Sequence, residues 1–332
     1  MVRLSFCLRL SSVFAALLLA GAQTYPSGVQ AAAFTPKLGQ SGKDVMWLPT
    51  PDALVARLLQ MAQLTPSDKL VDLGAGDGKI VIAAARDFGA KASGVEYDAR
   101  LIEVAQAAAK QAGVSERTTF TQGDIFKTDF SHADVVAMYL LPQLNLRLRP
   151  TLMAMKPGTR IVTHWFDMGE WQPDETTEVE NRPGYLWVVP ANVHGTWRIQ
   201  PAELGADAQA AGGQLPIGEL TLTQRYQFVQ GVLEWGGVKT SLRQPYLSGN
   251  QFEFEFTDLA GRRQHARATV DGANMNIHVK PALPSDAIES PSTAAIQGTF
   301  AAHRVSEATR LPGSEPASEA EMNAAAASLG SD

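Results

Sequence analysis

The chain has 332 residues, 28 Lys+Arg against 34 Asp+Glu for a net charge of −6, and 45% hydrophobic against 19% charged content. That length holds one large or two ordinary domains with a real core, and the mild acidity, with no basic run beyond the N-terminus, weighs against a general nucleic-acid binder. Cys7 is the single cysteine and the six histidines show no metal-ligand spacing, which excludes disulfide scaffolds and thiolate zinc sites.

Residues 1–33 are expected to be an export signal. Arg3 and Arg9 open it, and the apolar run 10–22 is too short for a comfortable membrane span. Ala20-Gly21-Ala22 and Ala31-Ala32-Ala33 both fit an A-x-A cleavage site. The absence of acids before Asp44 also suits a mitochondrial presequence; the reading taken is bacterial export, to the periplasm or envelope, with no stable span in the mature chain. Cys7 falls inside this segment.

Next come Trp47-Leu48-Pro49-Thr50-Pro51-Asp52 and an amphipathic run in which Leu54, Val55, Leu58, Leu59, Met61 and Ala62 recur at helical spacing. Thr50 or Asp52 is expected to cap that helix, with Pro51 in its first turn.

Residues 70–81, Leu-Val-Asp-Leu-Gly-Ala-Gly-Asp-Gly-Lys-Ile-Val, read as strand, tight loop and helix, the opening of a nucleotide-binding α/β unit. Gly74, Gly76 and Gly78 let the backbone turn sharply against a ligand, and the helix start presents free N–H groups. A dinucleotide fingerprint needs its third glycine at position 79, which is Lys79, and no G-K-[ST] follows for a phosphate loop. Asp72 stands two residues before the first glycine. A second strand ends in Val95-Glu96-Tyr97-Asp98, with Glu96 18 residues past Gly78. An acid at that strand tip can take both ribose hydroxyls of an adenosyl group.

A third strand runs through 118–122 into Gly123-Asp124-Ile125-Phe126. A fourth occupies 133–138 and exits through Tyr139-Leu140-Leu141-Pro142, followed by a helix over 144–155. A fifth covers 159–166, and 176–180 with 185–189 form a closing antiparallel pair. Residues 201–218, rich in Ala and Gly, read as a linker. Beyond them the period becomes two, with Phe252, Phe254 and Phe256 alternating with Glu253 and Glu255. About six strands over 219–305, the first spanning 220–232, predict a small antiparallel barrel or sandwich, either a stabilising appendage or a substrate-recruiting module. Residues 306–332 are expected to be disordered, with at most a short Ala-rich helix.

The G-x-G-x-G bend with Asp72 before it resembles motif I of the class I S-adenosylmethionine (SAM)-dependent methyltransferases. The segment from about 45 to 198 is similar to one branch, the lysine methyltransferases of the adenine nucleotide translocase and the ATP synthase c-subunit with their bacterial relatives. The matching pieces are 70–81, Gly123-Asp124-Ile125-Phe126, Tyr139-Leu140-Leu141-Pro142-Gln143-Leu144-Asn145, Leu148-Arg149-Pro150, Lys156-Pro157-Gly158-Thr159-Arg160 and Phe166-Asp167-Met168-Gly169-Glu170-Trp171. The resemblance implies a methyltransferase domain at 44–200 with a seven-stranded Rossmann-like sheet in the order 3-2-1-4-5-7-6. It implies SAM as cofactor, bound by Asp72, Gly74, Gly76, Gly78, Glu96 and Tyr97. Asp124 would hold the adenine amino group and Ile125 would pack on its ring. Thr50 would add a hydroxyl from a lid over the methionine end. Tyr139, near the methyl group, would serve binding and catalysis, Asn145 would be the second catalytic residue, and Asn145, His164 and Trp165 would complete the acceptor wall. The methyl acceptor is expected to be a protein lysine; a non-catalytic SAM or nucleoside binder and a small-molecule or lipid methyltransferase are the alternatives. The family lacks an export signal and a large extra domain, and the oligomeric state is not legible.

Overall fold

The structure is a computed structural model that describes residues 34–39, 48–202, 218–259, 261–282, 298–306 and 311–330. The expected export signal at 1–33 lies outside them, as does most of the expected linker, 203–217. From Thr35 onward the chain forms one unit built on two sheets.

The first half runs α1 (Asp52–Met61), β1 (Lys69–Leu73), α2 (Lys79–Asp87), β2 (Lys91–Glu96), α3 (Ala99–Gln111), β3 (Thr118–Gln122), β4 (Val135–Met138), α4 (Pro142–Met153), β5 (Arg160–His164), β6 (Glu175–Val179) and β7 (Arg182–Val188). Its strands pair in the order β3-β2-β1-β4-β5-β7-β6, the order the resemblance implies, with β7 antiparallel to both neighbours. β1 and β4 are buried almost throughout because helices cover both faces of the parallel part of the sheet. The register sets Asp72 between Gly94 and Ala137, and Leu73 between Val95 and Met138. Gly94 is what admits the glycine loop: a Cβ there would lie 2.5 Å from that of Ala75.

α1 starts differently from the sequence expectation. Its N-cap is Pro51 and no side chain caps it; Thr50 is buried and spends its hydroxyl elsewhere. α4 begins at Pro142, two residues before the expected start, because proline suits a first helical turn.

The second half comprises β8 (Gly195–Pro201), β9 (Gly218–Arg225), β10 (Phe228–Trp235), β11 (Val238–Ser241), β12 (Arg243–Ser248), β13 (Gln251–Thr257), β14 (Arg263–Asp271), β15 (Asn274–Pro281) and β16 (Gly298–Arg304). These nine strands form one antiparallel sheet, order β11-β10-β9-β8-β16-β15-β14-β13-β12, whose edges approach each other in a nearly closed barrel. Phe252, Phe254 and Phe256 point inward, as their alternation predicts. Two expectations need correction. The domain boundary at 200 falls inside β8, whose Trp197 and Ile199 fill the barrel core between β9 and β16. The single strand expected over 220–232 is a hairpin, turning at Tyr226 and Gln227.

The expected disordered tail is ordered over 311–330. α5 (Glu319–Ala327) opens with a capping box between Ser318 and Glu321. Glu321 then forms a two-point ion pair with the buried Arg149 of α4, at 2.8 and 3.2 Å. Arg149 also donates to the Met168 carbonyl at 3.1 Å, and its guanidinium lies 5.8 Å from the ring centre of Tyr226. The Arg149 contact holds the Glu321 carboxyl down at about 2. Tyr226 stacks on Trp171 at 6.2 Å, while Gln224 bonds Val193 N–H and the carbonyls of Ala191 and Tyr226. Arg149 is thus the point where α4, the 166–171 loop, the barrel and α5 meet.

Arg149→Ala is expected to cost about 3 kcal/mol, because it leaves Glu321 and the Met168 carbonyl without their charged partner. Denaturant unfolding measures the loss, and hydrogen exchange across 319–327 is expected to accelerate.

Candidate active site

The C-terminal ends of β1, β2, β4 and β5 converge on one crevice, where an open α/β sheet binds its ligands. Gly74, Gly76 and Gly78 all have positive φ, at 84°, 56° and 81°. That alternation bends the chain away from β1 and into α2 with no Cβ strain. The bend is fastened to β2 by Gly74 N–H and Ala75 N–H on the Val95 carbonyl, at 2.9 and 3.0 Å.

Glu96 completes the fastening. Its Oε2 accepts from Gly76 N–H at 2.9 Å, and its Oε1 from Tyr97 N–H at 2.8 Å and Asp98 N–H at 3.0 Å. Oε2, with one bond made, keeps an acceptor site for a ligand hydroxyl, whereas at Oε1 both sites are taken and a hydroxyl would have to compete. Gly123 N–H bonds the Glu96 carbonyl at 2.9 Å, which brings Asp124 and Ile125 to the tip of β2. Asp124 Oδ1 accepts from Phe126 N–H at 3.0 Å, a local turn that fixes the carboxylate's direction. Ile125 is half-buried against the α4-side core, and Tyr97 is exposed.

Asp72 lies beneath the bend, 2% exposed, and its Oδ1 has no hydrogen-bond partner. Burial first, then the charges of Glu96 and Asp77, push its carboxyl up to about 8. Asp77 is also raised, chiefly by burial. Two acids beside a buried carboxyl with an orphaned oxygen suit a cationic ligand.

The opposite wall is uncharged and aromatic. Tyr139 follows β4, and its ring lies 3.9 Å from that of His164 and 6.4 Å from that of Phe166. His164 Nδ1 is 3.1 Å from Thr50 Oγ1, and Nε2 is buried without a partner. Burial, and then the charge of Arg182, hold the imidazole down at about 4, while burial raises the Tyr139 phenol. Both rings are therefore neutral at physiological pH. Leu140 meets the glycine bend, for a Cβ on Gly74 would touch its Cδ2 at 3.0 Å.

With this geometry in place, three likenesses decide the family. The family model described as ANTKMT methyltransferase domain matches residues 72–175. A protein-lysine N-methyltransferase of Saccharolobus islandicus is 42% identical over 151 residues, 44% of this chain and 94% of that protein. The ATP synthase c-subunit lysine N-methyltransferase of Mus musculus is 36% identical over 109 residues, 32% of this chain and 44% of that protein. The chain belongs to this methyltransferase family. Among solved structures, an RNA methyltransferase from Salinibacter ruber in complex with S-adenosyl-L-homocysteine is 44% identical, covering 48% of this chain and 99% of that one, with a TM-score of 0.42.

The chain is accordingly a SAM-dependent methyltransferase, and the residues of the crevice fit that cofactor. SAM carries a sulfonium and an ammonium, and the acids at 72, 77 and 96 are the chemistry such cations need. Two sequence assignments change. Asn145 is not on the acceptor wall: its amide is fully buried and donates to the Phe166 and Asp167 carbonyls, at 3.2 and 3.1 Å, so it fixes the loop. Thr50 bonds His164 rather than capping α1. Sequence reasoning missed the Thr50–His164 pair, Asp77 and Arg182. No local signal joins residues 114 apart in the chain. Trp165 has φ 72°, and Phe166 N–H bonds the His164 carbonyl at 2.9 Å, a tight and strained γ-turn.

The two buried groups make opposite contributions to stability. The Asp72 carboxyl is raised from 3.8 to about 8, so its contribution is complete below the unfolded value and is lost as pH rises through about 8. The His164 imidazole is lowered from 6.5 to about 4, so stability is lost as pH falls between those values. Asp72→Asn is therefore expected to be more stable than the parent at pH 9 without cofactor, by about 1–2 kcal/mol, with the gap closing towards pH 4. Thermal unfolding across that range checks it.

Proposed function

We propose that this methyltransferase acts on a protein lysine. The observation that carries the reading is the neutral aromatic chamber of Tyr139, His164 and Phe166 beside an acid-lined cofactor crevice. The archaeal relative, matched over 94% of its length, is a protein-lysine N-methyltransferase, and the match supports the same acceptor class here.

In this reading Gly74, Gly76 and Gly78 cradle the cofactor and Asp72 faces its cationic end. Glu96 takes the ribose hydroxyls, Tyr97 flanks the adenosyl group, Asp124 takes the adenine amino group and Ile125 packs on the ring. SAM supplies a methyl group on a cationic sulfur, with S-adenosylhomocysteine as the product. The protein's remaining work is to present a neutral amine in line with that methyl. A lysine ammonium in water has a pKa of about 10.4 and must lose a proton first. The half-buried chamber and the positive charge of Arg182, felt by both rings, disfavour the ammonium there. The Tyr139 oxygen orients the amine, and Thr50 fixes the imidazole that backs the tyrosine ring. Asn145 and the Thr163 hydroxyl, which donates to the Phe166 carbonyl at 2.7 Å, hold the third wall in place.

We extend the proposal to an exported, envelope-associated enzyme, on the strength of the charge and hydropathy pattern of 1–33. Among the described residues no helix is long and apolar enough to cross a membrane.

The test is methylation of an envelope fraction with isotope-labelled SAM, followed by mass spectrometry. Label on lysine side chains is the expected result; label confined to lipids or small molecules would refute the lysine reading. Glu96→Gln is expected to weaken SAM binding by about tenfold in calorimetry. Tyr139→Phe is expected to lower kcat by about tenfold while leaving SAM affinity unchanged, and an unaltered kcat removes the tyrosine oxygen from the mechanism.

A further inference from the structure

Beside the aromatic chamber lies a cavity of about 610 Å³, bounded by residues 165–172, the start of α4 and one face of α5. Its apolar walls include Trp165, Phe166, Leu146 and Ala325, and the charged residues lining it are Asp167, Glu170 and Glu321. All three are acids. Glu321 is paired with Arg149 and Glu170 with Arg225, which fixes both carboxylates but offsets much of their charge, while Asp167 is in no ion pair among the described residues. Asp167 is exposed, and its Oδ1 accepts from Gly169 N–H at 3.0 Å.

We propose that this groove is a docking subsite for a cationic, partly apolar peptide segment of the acceptor protein, with α5 as its specificity-determining wall. The proposal rests on the lysine reading above and names what recognises the residues around the target. A lysine or arginine side chain entering the groove lays its aliphatic stem along the apolar walls and brings its charge to the acids. The Trp165 ring adds a face suited to a cation. Phe166 lines the groove and its ring is 6.4 Å from that of Tyr139, so one ring walls both the groove and the aromatic cluster. In the proposal a peptide held in the groove presents a neighbouring side chain to that cluster. The backbone that carries the indole is not free to drift: the main-chain N–H of Trp165 bonds the Pro183 carbonyl at 2.9 Å, and the γ-turn at Trp165 fixes its direction. α5 lies outside the residues 72–175 matched by the family model, so this wall belongs to the part of the chain that sets it apart.

The test uses the full chain saturated with S-adenosylhomocysteine and a fluorescein-labelled peptide of lysine and leucine, read by anisotropy. A peptide with glutamine in place of lysine is the control. Ala325→Trp, which fills the groove, and the double variant Asp167→Asn with Glu170→Gln are each expected to weaken the lysine peptide about tenfold. The double variant is also expected to flatten the salt dependence, and S-adenosylhomocysteine affinity should stay at the parent value in both. Equal affinity of the parent and both variants overturns the proposal, as does tight binding of the glutamine peptide. Mass spectrometry of the same peptide after incubation with SAM separates the two readings. Groove-dependent binding with no methylated lysine upholds the groove and refutes the lysine assignment. Lysine methylation at the same rate and KM in parent and variants upholds the assignment and refutes the groove.

Discussion

One carboxylate organises the cofactor side of this molecule. Glu96 receives three backbone N–H groups, one from the glycine bend and two from its own strand end. Hydrogen bonds to an ionised acceptor are about twice as strong as neutral ones, so this group ties the loop after β1 to the tip of β2 more firmly than backbone pairing alone. The glycines can then adopt positive φ without leaving the loop slack. The same charge has a cost. It sits near the buried Asp72 carboxyl and helps to raise it, a repulsion that a cation in the crevice relieves.

Across the crevice the electrostatics invert. Where the cofactor wall gathers acids, the acceptor wall gathers neutral rings with Arg182 close enough to depress His164. In the proposed lysine reading, transfer of a methyl group from a cation to an uncharged amine is served by this asymmetry. A carboxylate beside Tyr139 would hold the amine protonated and would pull the donor's charge towards the wrong wall. Thr50 contributes indirectly: its bond to Nδ1 selects one orientation for the imidazole that backs the tyrosine.

The cofactor half was largely legible in the sequence because its chemistry is local. A G-x-G-x-G bend needs glycine for backbone reasons, and the acids that follow stand at strand tips whose order the α/β alternation dictates. The acceptor half was legible only in its residue types. Asn145 belongs to a chemically suggestive segment, yet its amide faces the carbonyls of 166 and 167, and only the packing of α4 reveals that. The barrel's strands were read from period-two alternation, but β8 escaped because the Ala- and Gly-rich stretch that separates it from β9 reads as a domain boundary, and its other partner, β16, lies far along the chain. The tail was misread because composition alone makes Pro, Ser, Ala and Glu look disordered. What orders α5 is a buried arginine contributed by α4.

That arginine bears on what the barrel is for. The barrel reaches the methyltransferase sheet through Tyr226, stacked on Trp171 and within reach of Arg149, and also through Gly249, which lies against Gly158 and Val188. Trp171 and the Met168 carbonyl belong to the loop that carries Phe166 and Asp167, so the barrel bears on the acceptor wall. The glycine bend is instead fastened by strands and helices of its own sheet. An appendage that merely added stability could have been attached to any face of the sheet. The Tyr226 contact instead joins the barrel to the 166–171 loop, and α5, reached by the chain only after the barrel is complete, lies along that same loop.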